Sequence, residues 1–132
     1  MRVVVDGSGL VLGRLASHAA KMALKGDEVI VLNCEKIIIT GNRKNIEERF
    51  EKKRGRVGTA QKGPKHSRSV DKLVKRTIRG MLPNHRTGRG REALERIMCH
   101  VGVPKEFESA KKTEFDFGPR RKFINVGEVW KK

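Results

Sequence analysis

A strand, a helix and a second strand open this chain, and that order constrains everything after it. Val3-Val4-Val5 is a β-branched run closed by Asp6-Gly7-Ser8-Gly9, the pattern of a buried strand that ends in a turn. Leu12, Leu15, Ala16, Ala19, Ala20, Ala23 and Leu24 then recur at helical spacing, and Gly26 stands where a C-terminal cap belongs. Val29-Ile30-Val31-Leu32 is the next strand, reached through a short Gly26-Asp27-Glu28 connection. A crossover through a helix makes the two strands parallel and the connection right-handed. A parallel sheet needs cover on both faces, so the expected class is α/β. The 132 residues suffice for one such domain, 1–132, but are a squeeze for two.

The remaining elements follow from the same patterns. Asn33-Cys34-Glu35-Lys36 reads as a turn, and Ile37-Ile38-Ile39-Thr40 is too β-branched for a helix and ends at Gly41. Residues 42–53 predict an exposed helix carrying Ile46 and Phe50, with Asn42 as N-cap. Residues 54–69 hold only Val57 and Ala60 as apolar side chains and read as a basic loop, expected to order only when phosphates cancel its charge. Val70, Leu73, Val74 and Ile78 restore helical spacing with Asp71 in the first turn, and Pro83 is the expected stop. Residues 87–96 predict another helix, and Met98-Cys99-His100-Val101 a short strand. Residues 105–122, with Phe107, Phe115 and Phe117, are expected to lie extended over the core. Phe123-Ile124 reads as an edge strand and Glu128-Val129-Trp130 as a last helical turn.

Charge separates the middle of the chain from its flanks. Lys and Arg total 31 against 15 Asp and Glu, a formal charge of +16. Residues 43–91 hold 17 of the bases and only 4 of the acids, which leaves the flanks close to an ordinary neutral protein. A solvated face interleaves both signs, whereas this one-sided patch is the footprint of an anionic partner such as nucleic acid.

Other classes fit less well. Asp6 breaks the first apolar run before a signal-peptide core forms, and no run reaches the roughly 18 apolar residues of a membrane span. Cys34 and Cys99 lack Cys-x-x-Cys spacing, so neither a disulfide framework nor a zinc site is expected. His18, His66, His85 and His100 are dispersed without metal-ligand spacing, and no nucleophile stands in a glycine elbow. Neither metal, cofactor nor small-molecule substrate is expected. Gly7, Gly9 and Gly13 open a helix after a strand and resemble a dinucleotide-binding turn, which keeps a nucleotide-dependent enzyme as one alternative. The fingerprint wants its third glycine one residue earlier and an acid where Asn33 stands. A DNA-binding regulator is a second alternative, through a helix-turn-helix over 69–97 with a long connection rich in Pro and Gly.

Residues 80–91, Gly-Met-Leu-Pro-Asn-His-Arg-Thr-Gly-Arg-Gly-Arg, are the most unusual segment, because apolar Met81-Leu82 must tuck inward while polar donors project ahead of a helix N-terminus. Donors together with a positive helix end suit phosphate. The chain has no Tyr, one Trp and five Phe, and only Phe50 of these falls in the basic centre. With few stacking platforms, recognition of backbone and shape in folded RNA is favoured over single-strand reading. The candidate contacts are Arg43, Lys44, Lys52, Lys53, Arg54 and Arg56 in the first basic stretch, then Lys62, Lys65, His66 and Arg68 in the loop. Lys75, Arg76 and Arg79 follow on the next helix, with Asn84, His85, Arg86, Arg89 and Arg91 in the turn.

Several motifs together carry a family resemblance. Val4-Val5-Asp6-Gly7, Leu12-Gly13-Arg14-Leu15-Ala16-Ser17, Gly26-Asp27, Val29 through Lys36, Thr40-Gly41, Arg79-Gly80-Met81-Leu82-Pro83 and Gly88-Arg89 occur in one order over nearly the whole chain. In this the chain resembles the large-subunit ribosomal protein family L thirteen. The start at the first strand, the ending without a long helical tail, and Val103-Pro104 in place of the bacterial His-Pro-His segment make it resemble the archaeal type. The resemblance implies a three-layer α/β/α fold around a parallel sheet of about four strands and a non-enzymatic structural role on the large ribosomal subunit in the cytoplasm. It further implies large-subunit rRNA and neighbouring large-subunit proteins as partners, with 43–91 as an RNA-facing insertion and Leu12–Leu24 as scaffold.

Overall fold

The computed structural model describes residues 2–55, 69–113 and 122–129, with the backbone alone at positions 54 and 55. The elements run β1 (Arg2–Asp6), α1 (Leu12–Leu24), β2 (Glu28–Leu32), β3 (Ile38–Thr40) and α2 (Arg43–Gly55). They continue with α3 (Val70–Arg79), α4 (Gly88–Glu95), β4 (Ile97–Cys99), β5 (Lys112–Thr113) and β6 (Phe123–Asn125). The opening crossover forms as its pattern demands: β1 and β2 are parallel, with Val3 opposite Val29 and Val5 opposite Val31. Strand β4 joins β2 and β5 joins β1, both parallel, giving the order β4-β2-β1-β5.

Alternation along the strands explains why their apolar runs are unbroken. Val5, Val29 and Val31 face one side, where they pack with the alanines of α1, Leu73, Val74 and Ile78 of α3, and Ala93 of α4. The small side chains Ala16, Ala19, Ala20 and Ala23 let α1 lie close on the sheet, and all four are buried. Val4, Ile30 and Leu32 face the other side, where they meet Phe107, Val103 and Ala110. Among the described residues that outer layer is the segment 103–110 with one 3-10 turn at Lys105–Phe107, so it is much thinner than the helical layer. Residues 105–110 therefore lie over the core as expected and Lys112–Thr113 is a strand of the sheet, while the rest of that stretch, 114–121, lies outside the described residues. Phe115, Phe117 and Trp130 lie outside the described residues.

A second, two-stranded sheet sits at the side. Strands β3 and β6 pair antiparallel with Ile39 opposite Ile124, as the Phe123-Ile124 edge pattern predicts. Ile46 of α2 is buried against Ile124 and Val129, the anchor that ties an otherwise polar helix to the fold. The Asn42 side-chain oxygen accepts the Lys44 N–H at 3.0 Å, so Asn42 starts α2 as an N-cap does.

Three boundaries differ from expectation. Helix α3 ends at Arg79 rather than at Pro83: Gly80 N–H still bonds to Arg76 O, then Met81 and Leu82 turn so that Leu82 is buried. Burial of Leu82 ends the helix before proline chemistry acts. Strand β4 starts at Ile97 and ends at Cys99, with Val101 exposed beyond it. The last turn is a 3-10 turn at Val126–Glu128, fixed by Val126 N–H on Ile37 O at 2.7 Å.

Candidate nucleic-acid interface

Helix α3 places its charges by period. Leu73, Val74 and Ile78 are buried, while Lys72, Lys75, Arg76 and Arg79 follow the i, i+3, i+4, i+7 rule along the other side. Lys72 is exposed and the other three are half-buried. Lys72 is absent from the sequence-derived candidates, although the same spacing that picks out Lys75, Arg76 and Arg79 also picks it out.

Helix α2 is less committed. Arg43 pairs with Glu47 one turn on at 3.0 Å, Lys44 and Lys52 are exposed, and the Lys53 ammonium lies 5.7 Å from the Phe50 ring centre. The Arg54 side chain, together with Arg56, Lys62, Lys65, His66 and Arg68, lies outside the described residues, as does the expectation about loop 54–69. A shallow cleft of about 480 Å³ opens at the start of α2, lined by Gly41, Asn42, Arg43, Lys122 and Phe123. Phe123 is 48% exposed there, a stacking face beside two cations that the sequence argument, centred on 43–91, overlooked.

The turn between α3 and α4 is held from within. Asn84 donates its side-chain amide to Thr87 Oγ1 at 3.0 Å, accepts Arg86 N–H on its side-chain oxygen at 3.3 Å and accepts Thr87 N–H on its carbonyl. Asn84 is thus an organiser of the turn. Gly90 is buried under the Pro83 and Asn84 carbonyls, where a Cβ would collide, so only glycine lets the turn fold back on α4 this closely. The outcome is Arg86, Arg89 and Arg91 all exposed at one end of α4, with His85 half-buried beside them. Arg91 also pairs with Glu95 at 3.4 Å. Residues 80–87 separate α3 from α4, a longer bridge than the three- or four-residue turn of a DNA-reading helix pair.

The glycine turn has another use than phosphate. Gly7 N–H bonds to Leu32 O at 2.9 Å, Ser8 N–H to the Asp6 carboxylate at 3.0 Å, Gly9 N–H to Lys36 O at 3.1 Å and Leu10 N–H to Gly7 O at 3.1 Å. The four consecutive amides of the turn, residues 7–10, are therefore spent on the chain itself. A Cβ on Gly7 would stand 2.7 Å from the Ile37 side chain and 2.9 Å from Leu32 O, which explains that glycine by packing.

Two ionisable groups behind the turn are tuned by their surroundings. Burial works to raise the Asp6 pKa, but hydrogen bonds from Asn33 and Ser8 and the charge of Lys112 outweigh it and hold the carboxyl below its usual range. Cys34 and Cys99, distant in sequence, become neighbours because Cys34 N–H bonds to His100 O across the end of the sheet. A hydrogen bond with Cys99, then burial, push the Cys34 thiol upward and keep it protonated. Both cysteines are free. Among the described residues, no three His, Cys, Asp or Glu side chains are grouped to hold a metal ion, and no helix is long and apolar enough to cross a membrane.

The described residues thus form a basic α/β chain whose glycine-turn amides are spent on the chain itself and whose cations stand on two helices and the turn between α3 and α4. Comparison with known proteins makes the class specific: the family described as Ribosomal protein L13 matches residues 1–106. A protein of Methanosarcina barkeri named large ribosomal subunit protein uL13 is 41% identical over 135 residues, covering 98% of this chain and 95% of its own. Its namesake in Methanococcoides burtonii is 37% identical over 131 residues, covering 96% and 93%. The Caenorhabditis elegans protein of that name is 41% identical over 136 residues, covering 96% of this chain and 66% of its own. The chain belongs to the uL13 family of large-subunit ribosomal proteins, a family of structural proteins and not of enzymes.

Proposed function

We propose that this chain binds and organises large-subunit rRNA, mainly through phosphate and shape contacts, as one domain whose region 43–91 faces the RNA. The observation that carries the reading is the cationic stripe Lys72, Lys75, Arg76 and Arg79, continued by Arg86, Arg89 and Arg91 around the turn into α4. Cations in a row at helical spacing match the repeating charge of a nucleic-acid backbone, whereas reading of bases needs stacking platforms, of which the described surface offers Phe123. Its surroundings are the ribosome in the cytoplasm, with neighbouring large-subunit proteins as further partners.

The test is sedimentation. Tagged chain expressed in an archaeal host should travel with the large subunit in a salt-washed gradient. A variant with Lys72, Lys75, Arg76 and Arg79 all changed to Gln should be found mainly at the top while retaining its unfolding temperature. Co-sedimentation of that variant at wild-type level, or wild-type chain free of the subunit, overturns the reading.

A further inference from the structure

Among the described residues, the sheet face turned away from α1 and α3 is incompletely covered. Where the segment 103–110 stops short of the edge strand β4, a groove of about 710 Å³ remains. Its floor is apolar, with Ile30, Met98 and Phe107, and its rim carries Glu28, Glu92, Glu95 and Glu106. Arg2 and Arg96 line the groove and Arg91 outside it pairs with Glu95, so on a chain of net charge +16 four carboxylates against three arginines leave this groove a small acidic excess among the described residues.

The carboxylates are available to a partner. Glu28 meets Arg2 at 3.1 Å and Glu95 meets Arg91 at 3.4 Å, all four side chains more than half exposed and open to exchange, and Glu92 reaches Arg96 only at 4.0 Å. Glu106 is exposed and has no ion pair or hydrogen bond among the described residues. Below them, Met98 is 49% exposed in the middle of its strand, and His100 Nε2 is shielded from solvent with no hydrogen-bond partner among the described residues. Helix α4 adds a second sign: Arg89 and Arg91 stand in the first half and Glu92 and Glu95 in the second, an order that the helix dipole disfavours and that Arg96 at the C-cap offsets only in part. Such an order costs the helix stability, and it is accounted for when each end is placed for an outside charge: phosphate at the start, cations at the end.

We propose that this groove docks a Lys- and Arg-rich protein segment that presents an apolar side chain to Met98 and Ile30, an extension of a neighbouring protein on the large subunit. The proposal rests on the ribosomal reading above and adds to it the place and chemistry of one protein contact. RNA is the disfavoured occupant, since its phosphates would meet four carboxylates.

The probe is a labelled synthetic nonapeptide, Lys-Arg-Lys-Leu-Met-Leu-Arg-Lys-Arg, titrated against the full-length chain by fluorescence anisotropy. The chain should bind it, and the double variant Glu92→Gln/Glu106→Gln should bind about tenfold more weakly, two rim pairs being lost. Met98→Ser, and a peptide with its Leu-Met-Leu core replaced by serines, should each weaken binding by a similar factor. All three sites are at the surface, so unfolding temperature and rRNA affinity should stay as in wild type. Peptide affinity unchanged by these substitutions, or weaker than about 1 mM in wild type, overturns the proposal. In assembled subunits, a photo-crosslinker in Met98→p-benzoylphenylalanine should join a Lys- and Arg-rich segment of another ribosomal protein. A crosslink to rRNA, or none, counts against the groove. Sedimentation with the subunit combined with either of those results defeats this proposal alone, whereas failure to sediment defeats the ribosomal reading itself.

Discussion

Asp6 shows how one side chain joins four pieces of the fold. Its carboxylate accepts Asn33 Nδ2 and Ser8 N–H, both at 3.0 Å, so it clamps the end of β1 to the residue after β2 and shapes the turn into α1. Lys112 on β5 adds a favourable charge. A carboxyl whose pKa is lowered on folding contributes stability that is fully present above the unfolded value and is lost as pH falls through the folded one. Asp6→Asn keeps the acceptor oxygen and loses only the charge, so in this solvent-screened position it should cost about 0.5–1 kcal/mol at neutral pH. The deficit should shrink as acid takes the wild type below its ordinary value of 3.8. Urea unfolding at pH 7 and pH 3 measures it, and a deficit that does not change with pH would show that the carboxylate charge is irrelevant. Asp6 is read from sequence as a turn residue, and so it is. Its partners could not be read, since Asn33 and Lys112 approach it only through strand pairing, and Cys34 and Cys99 become neighbours by the same route.

At the scale of elements, legibility follows the length of the apolar period. Helix α1 and strands β1 and β2 carry enough buried side chains for period 3.6 or unbroken β-branching to identify them, and their bounds emerge within a residue or two. Strand β5 is two polar residues whose place is set by the backbone of β1, so no periodicity could announce it. The turn into α4 is the instructive middle case: its donors are visible in sequence, but not the reason for Gly90. In an open helix Gly→Ala gains roughly 1 kcal/mol. At Gly90 the added methyl meets the Pro83 carbonyl and lies 2.6 Å from Asn84 O, so the sign reverses. Gly90→Ala should destabilise the chain by about 1–3 kcal/mol through overpacking, read as a lower urea midpoint. It should also weaken rRNA binding, because the turn presenting Arg86 and Arg89 is displaced. A stabilised Gly90→Ala variant would mean that the turn relaxes freely.

For the whole molecule the decisive property is the segregation of charge. Among the described residues, α3 and the turn into α4 carry a row of cations, the opposite sheet face holds a groove with a small acidic excess, and the apolar core lies between them. Net charge in the sequence forecasts an anionic partner, yet the acidic groove is invisible there because Glu28, the Glu92 and Glu95 of α4, and Glu106 lie in three separate parts of the chain among bases. Segregation makes the two surfaces separable by salt. If the cationic side neutralises about 6 to 10 phosphates, rRNA affinity should fall by roughly three to five decades between 50 and 200 mM salt, taking the duplex-DNA coefficient. Changing Arg86 and Arg89 to Gln should remove about two contacts and lower the logarithmic slope by about 2. The substitutions Glu92→Gln and Glu106→Gln should leave that slope where it was, because those carboxylates stand at the other surface. Filter binding of an rRNA fragment across a salt series measures all three. A flat response in the wild type, or a slope moved equally by the arginine and the glutamate variants, would show that the charge acts as one diffuse field and not as two faces.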